Sequence, residues 1–336
     1  MGSIFGAALG RAGCDVVFCD IRPDVVAALR HPGLQVTGVI GHAVTSYPAS
    51  TDPGDLGEAD MVLVQVDSLA TSDAAQIAKR LLRPSGFALT LQNGIGNWEI
   101  LADQLGHSRV LAGSTYNSGA ALEPGRVLHS NLGPTELGEI DGTLSERCET
   151  IARLFSTAGL PTMVSPNVVG VIWSKFVHNC AINPVSALTG LRPGEIARDP
   201  AAAHLLDMVL DEVLAVVAAA GIRLPEGDPR SHIRDHCWER YNRPSMLQHL
   251  ESGRRTEIDA LNAALVVRAQ TLGVAVPVNQ AVVAAIKARE GRQPFRPLEE
   301  ADSEAAARLD PRGMRWGSPP ESPHQIRTIP APDRPQ

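Results

Sequence analysis

Hydrophobic positions fall into two regimes along this chain. In the first half, short apolar runs alternate with stretches of helical spacing. Asp15 to Asp20 reads as a short buried strand, Met61 to Val66 as a continuous apolar run and 86–92 as a third strand. A continuous run marks a parallel strand covered on both faces. Between the strands, 2–12, 22–30 and 71–82 have helical spacing, the second stopping before His31-Pro32-Gly33. Strands alternating with helices imply an α/β, doubly wound Rossmann-type sheet. After about residue 165 the pattern becomes helical, over 166–188, 201–220, 245–250, 256–271 and 279–290. This predicts a Rossmann-type sheet domain over 1–164 and an all-helical domain over 165–290, with the boundary around Leu160-Pro161 and Ser165-Pro166. Residues 291–336 hold nine of the 25 prolines, many charges and few large apolar side chains. Such a composition cannot bury enough surface to offset ordering, so a disordered tail is expected there.

Composition narrows the function classes. The 336 residues suffice for two domains with cores of their own. A net charge of −7, with no basic block before the tail, argues against nucleic acid as a partner. The five cysteines are scattered, odd in number and form no Cys-x-x-Cys pair, which suits a reducing cytoplasm rather than a disulfide framework. No apolar run is long enough to span a bilayer and no secretory signal opens the chain, so no membrane is expected as a partner.

Candidate chemistry concentrates between Trp173 and Asn183. Lys175, Asn179 and Asn183 recur every four residues. On a helix, steps of four drift by only about 40°, so the three share a face among apolar and small neighbours. A lysine facing a cleft can protonate a developing oxyanion, and amides can orient a polar ligand. The plainer alternative is a surface lysine snorkelling above two ordinary amides. Leu91-Gln-Asn-Gly-Ile-Gly-Asn97 closes the strand at 86–92 and reads as a glycine loop. Glu257 shares a helical face with Leu261, Ala264 and Leu265, an odd place for a carboxylate unless a partner or ligand meets it. The alternative for Glu257 is a first-turn residue favoured by the helix dipole. His232 and His236 lie four apart beside Cys237 but lack a further ligand cluster, so no metal is assigned. That segment reads as a polar, exposed helix. Residues 127–139, with Gly133-Pro134 and Glu136, are assigned no chemistry.

The opening residues fit only part of a dinucleotide fingerprint. Such folds run strand, Gly-x-Gly-x-x-Gly, then a helix whose N-terminus faces the pyrophosphate. Gly2 matches the last of those glycines, and Asp20, 18 residues on, falls where an acidic ribose ligand ends the second strand. The expectation is therefore that Met1 is internal to a longer natural chain. The strands near 16–19 and 61–66 are then expected to lack a neighbour between them.

The Lys175 and Asn93 segments, Asn242-Arg-Pro-Ser-Met-Leu-Gln248 and Gly253-Arg-Arg-Thr-Glu-Ile-Asp259, in this order and separation, resemble the ketopantoate reductase (2-dehydropantoate 2-reductase) family. The resemblance covers about residues 2–290. It implies reduction of the C2 ketone of ketopantoate to pantoate by a nicotinamide cofactor, a step toward pantothenate and coenzyme A. It further implies Lys175 as general acid, Asn93 near nicotinamide and substrate, Asn179 and Asn183 lining the substrate site, and Asn242 and Ser245 holding the substrate's polar end. Glu257 matches a carboxylate that contacts substrate and helps to place the lysine. The family usually takes NADPH, reading its 2′-phosphate with an arginine after the second strand and a lysine after the fourth. Here Arg22 follows Asp20, and Asp67 stands at the lysine position. Carboxylates near the ribose favour its free hydroxyls and repel a phosphate, which leans toward NADH, while Arg22 keeps NADPH open. His249 replaces the family's usual aspartate. The stretch 127–139 looks like sheet-edge structure in the family. Two alternatives stand beside the leading reading: a reductase of another branched 2-oxo acid, and a truncated, non-catalytic paralogue. A homodimer suits the fold by analogy only.

Overall fold

The computed structural model of the chain describes residues 1–290; the tail expected over 291–336 lies outside the described residues. Helix α1 (Gly2–Arg11) opens the chain and buries Ile4, Phe5, Ala7, Ala8 and Leu9. It is followed by β1 (Phe18–Cys19), α2 (Pro23–Ala28), β2 (Leu34–Gly38), β3 (Ala43–Thr45), β4 (Ala49–Ser50) and β5 (Ala59–Val64). Then come α3 (Thr71–Leu81), β6 (Leu82–Thr90), α4 (Asn97–Leu105) and β7 (Val110–Thr115). The strands β8 (Ser118–Glu123), β9 (Arg126–Asn131) and β10 (Thr135–Glu139), helix α5 (Glu146–Thr157) and β11 (Thr162–Val164) complete the sheet-bearing half.

The main sheet has the order β11-β10-β7-β6-β5, with β5, β6 and β7 parallel. Its faces are covered from both sides, as a doubly wound sheet requires. Phe5, Leu89, Leu91, Leu111, Leu137 and Phe155 form one layer; Ala78, Ala88, Leu101 and Val110 form the other. Two smaller sheets flank it: β1 with β4, and β3-β2-β9-β8.

Two expectations for the sheets change, while that of a strand at 61–66 covered on both faces holds. The strand read over 15–20 shrinks to Phe18–Cys19, paired in parallel with Ala49–Ser50 rather than built into the main sheet. β5 is packed on both faces, Met61 and Leu63 on the Phe5 layer and Val62 on the Ala78 layer. Yet it ends its sheet, so of its six residues only Val64 is fully buried. The stretch 127–139 is not at an edge, since β9 lies between β2 and β8, and β10 between β7 and β11.

The second half is helical: α6 (Val168–Thr189), α7 (Pro193–Ile196), α8 (Pro200–Ala219), α9 (Pro229–Glu239), α10 (Ser245–Glu251), α11 (Ala264–Leu272) and α12 (Pro277–Arg289). Its core is built on α6 and α8, with Trp173, Phe176, Val177 and Cys180 against Val209, Leu210, Val213 and Val217. A buried polar knot ties α12 into this core. Asn279 Nδ2 donates to Val209 O (3.2 Å) and to Glu212 Oε2 (2.8 Å), while Asn262 Nδ2 donates to Asn279 Oδ1 (2.9 Å) and to Cys180 O (3.0 Å). The helix expected over 256–271 begins later, with a wide turn over Asp259–Ala263 before α11, so Glu257 stands just ahead of the first turn. Helix α9 is amphipathic rather than exposed throughout. Ile233 and Cys237 are buried, and the His236 ring packs edge-on against His178, 4.0 Å between centroids. No described helix is long and apolar enough to cross a membrane.

Candidate active site

Helix α6 carries Lys175 to the carboxyl edge of the main sheet. The helix is held at its start by Asn167, whose Oδ1 accepts from Gly170 N (3.2 Å) and whose Nδ2 donates to Arg223 O (2.9 Å). Gly190, at φ +76°, ends it. Val168 and Ile172 pack on Ala112 of β7 and fix the rotation of α6 against the sheet. One turn further on, Lys175 Nζ donates to Asn93 Oδ1 (2.8 Å) and to the carbonyl of Thr115 (2.5 Å), and it lies 5.4 Å from the centroid of the Tyr116 ring. An ammonium has three N–H donors, so one is left for a ligand oxygen. Burial pushes the Lys175 pKa down from 10.5 to about 8, against a smaller upward pull from the Glu257 carboxylate.

Asn93 is presented by a braced loop. Gln92 Nε2 donates to Val66 O (2.9 Å) and to Thr71 Oγ1 (2.9 Å), and Thr71 Oγ1 donates to Asn97 Oδ1 (2.8 Å). Asn97 Nδ2 and Ser68 Oγ both donate to the Asn93 carbonyl, at 3.0 and 2.9 Å. The loop turns at Gly94 and Gly96, each at φ +90°. At Gly94 the backbone passes so close to the helical half that a Cβ there would sit 2.7 Å from Ala260 O. That approach brings the segment after Glu257 against the loop.

A small cleft opens between loop, sheet and helix. It is lined by Gln92, Asn93, Gly94, Gly113, Ser114, Ile172, Lys175, Phe176 and Asn179. Of the residues read from the sequence, Lys175, Asn93 and Asn179 meet there. Glu257 lies near enough to act on Lys175, and its Oε1 is 3.9 Å from His249 Nδ1. Asn183 is buried one turn further along α6, outside that lining. Asn242 is exposed just before α10, and Ser245 is the half-buried first residue of that helix, which packs on α6. Neither belongs to the lining. Sequence inspection passed over Ser114, Tyr116 and the Thr115 carbonyl. A carbonyl has no sequence signal, and the two side chains matter only because β7 ends opposite α6.

The nucleotide side is arranged as follows. Gly2 begins α1 beside Gln65, to whose Cβ an added Cβ would come within 3.4 Å. Asp20 Oδ1 accepts from Arg22 N (2.9 Å), and the Arg22 guanidinium is paired with Asp24, its Nε at 3.1 Å. Asp67 is exposed and caps a short turn, accepting from Leu69 N at 3.1 Å. Seven buried polar atoms have no partner among the described residues, and two of them lie here: Gln65 Nε2, beside Gly2, and Ser114 Oγ, in the cleft. The unmet Gln65 amide, together with the helix N-terminus at Gly2, fits a polar ligand such as a dinucleotide.

The sequence models of two ketopantoate reductase domains match the chain. The "Ketopantoate reductase PanE/ApbA" model covers residues 1–142, and the "Ketopantoate reductase PanE/ApbA C terminal" model covers 167–290. A 2-dehydropantoate 2-reductase of Halobacterium salinarum is 32% identical over 279 residues, which is 83% of this chain and 92% of that protein. The crystal structure of a PanE/ApbA family ketopantoate reductase from Ralstonia eutropha JMP134 superposes with a TM-score of 0.76 at 33% identity, over 85% of this chain and 93% of that one. D-mandelate dehydrogenase, solved with NADH and anilino(oxo)acetate, shares the fold, with a TM-score of 0.77 at 23% identity over 86% and 95% of the two chains. With both domain models matched in order and these likenesses spanning most of its length, the chain belongs to the ketopantoate reductase family.

Proposed function

We propose that this chain is a 2-dehydropantoate 2-reductase, an NAD(P)H-dependent oxidoreductase that reduces the ketone of ketopantoate to the alcohol of pantoate. The observation that carries the proposal is Lys175: a half-buried ammonium, held by two acceptors, with one N–H to spare in a small polar cleft. A bound nicotinamide supplies the hydride. Lys175 donates its free N–H to the ketone oxygen and transfers that proton as the oxygen becomes an alkoxide, ending as a neutral amine. A pKa near 8 keeps it protonated at neutral pH yet makes it a stronger acid than an ordinary lysine. Asn93 and the Thr115 carbonyl hold Nζ in place, and the Glu257 charge keeps the ammonium from losing its proton too early. Asn179 lines the cleft as a substrate contact, with Asn183, Asn242 and Ser245 assigned to the outer part of the substrate site.

In this proposal residues 1–164 hold the cofactor and 165–290 the substrate. NADH is the favoured cofactor. Asp20 and Asp67 are acidic, and Arg22 is already paired with Asp24 rather than free for a 2′-phosphate. The cytoplasm is the proposed compartment, in keeping with the five scattered cysteines, and a homodimer, testable by sedimentation, the proposed assembly. One observation favours a second reading, reduction of another branched 2-oxo acid: His249, where the family usually has aspartate, stands 3.9 Å from Glu257. Absorbance loss of NADH and of NADPH with ketopantoate and with 3-methyl-2-oxobutanoate tests both. Faster turnover of ketopantoate is expected; faster turnover of the other acid replaces the substrate, and no turnover of either removes the reductase reading.

A further inference from the structure

Ser114 is 5% exposed, and its hydroxyl has no hydrogen-bond partner among the described residues. Its neighbour Thr115 is the contrast. Thr115 Oγ1 lies 2.8 Å from Thr135 Oγ1 and accepts from Asn117 Nδ2 at 2.9 Å. Side chains alternate along a strand, so Ser114 points to the opposite face of β7 from Thr115 and to the same face as Ala112. Ala112 packs on Val168 and Ile172 of α6. Two residues further along, Ser114 reaches the level of Lys175 and lines the same cleft. A buried hydroxyl left without a partner is costly, and a fold tolerates one where a ligand completes it.

The other lining groups define that ligand. None of the nine lining residues is acidic, whereas Lys175 and Asn179 contribute N–H donors and Gln92 has already spent its amide on Val66 and Thr71. Donors converging without a carboxylate suit a small anion rich in acceptors. We propose that Ser114 is a substrate-contacting residue, its hydroxyl donating a hydrogen bond to the carboxylate of the 2-oxo acid while Lys175 meets the adjacent ketone oxygen. This rests on the reductase reading and adds to it the group that recognises the acid end of the substrate.

The test compares wild type with Ser114→Ala, using the best 2-oxo acid from the assay above and its methyl ester. The variant raises KM for the acid roughly 10- to 100-fold, as loss of a hydrogen bond to a charged group does, and changes KM for the ester far less. The affinity for NADH, followed by its fluorescence, stays the same. The melting temperature of the ligand-free variant does not fall, because the hydroxyl removed had no partner. An unchanged preference for acid over ester overturns the proposal. So does a weakened NADH affinity with that preference intact, which gives the hydroxyl to the cofactor, and so does a melting temperature lowered by several degrees. Calorimetric binding of the acid separates this proposal from the reductase reading. If the acid binds without turnover, the reductase reading fails and Ser114 is judged on the ratio of dissociation constants; if no 2-oxo acid binds, both fall.

Discussion

Lys175 couples activity and stability to pH in opposite directions. Its pKa in the folded protein is about 8, against 10.5 ordinarily, and burial is the main cause. Between those values the unfolded chain binds more protons than the native one, so the native state gains stability as pH rises from about 8 to 10.5. The full shift corresponds to about 3 kcal/mol, and to about 2 kcal/mol after allowance for the residual exposure of the side chain. Lys175→Met keeps the volume and removes the titration. Urea unfolding of both proteins at pH 7 to 10.5 isolates the effect, because other titrating groups cancel in the difference. Wild type should gain about 2–3 kcal/mol on the variant across that range. In the same window the reduction rate of wild type should fall about tenfold per pH unit above pH 8, as the proton donor is lost. The variant should lose roughly 100- to 10,000-fold in rate, with no limb near pH 8. A flat stability difference, or one that shrinks as pH rises, would refute the buried-ammonium account.

Three further outcomes are expected. Glu257→Gln removes the charge that pulls the Lys175 pKa upward, so the alkaline limb of the reduction profile should move to lower pH; a limb that stays put or rises counts against the coupling. Asp24→Ala frees the Arg22 guanidinium, and the ratio of kcat/KM for NADPH to that for NADH should rise a few-fold; a fall shows that Arg22 does not face the ribose. Asn279→Ala removes one of the two acceptors of Asn262 Nδ2 and one of the two donors to Glu212 Oε2 in a buried network and should cost about 1–3 kcal/mol, read as a lower urea midpoint at constant slope. A loss under about 1 kcal/mol would show that the knot does not anchor α12.

The sequence by itself determined the α/β-then-helical order, because hydrophobic periodicity reports which faces must be covered. It also determined that Lys175 and Asn179 share a helical face, since the pitch of a helix is fixed by its backbone. The loop at Asn93 was legible for the same kind of local reason: glycines at 94 and 96 supply the positive φ its turns need. Tertiary structure decided what those residues meet. Lys175 reaches Asn93 and the Thr115 carbonyl across 82 and 60 positions of sequence, and no local pattern encodes either pairing. The lowered pKa of Lys175 follows from burial contributed by several elements at once. Whether a strand is central or at an edge also depends on partners distant in sequence. The apolar run at 61–66 announced cover on both faces but not its place at the end of the sheet, while 127–139 looked peripheral and lies within two sheets. Ser114 states the division most plainly: one serine among many in the chain, it becomes a candidate contact only when β7 closes against α6 and leaves its hydroxyl buried without a partner.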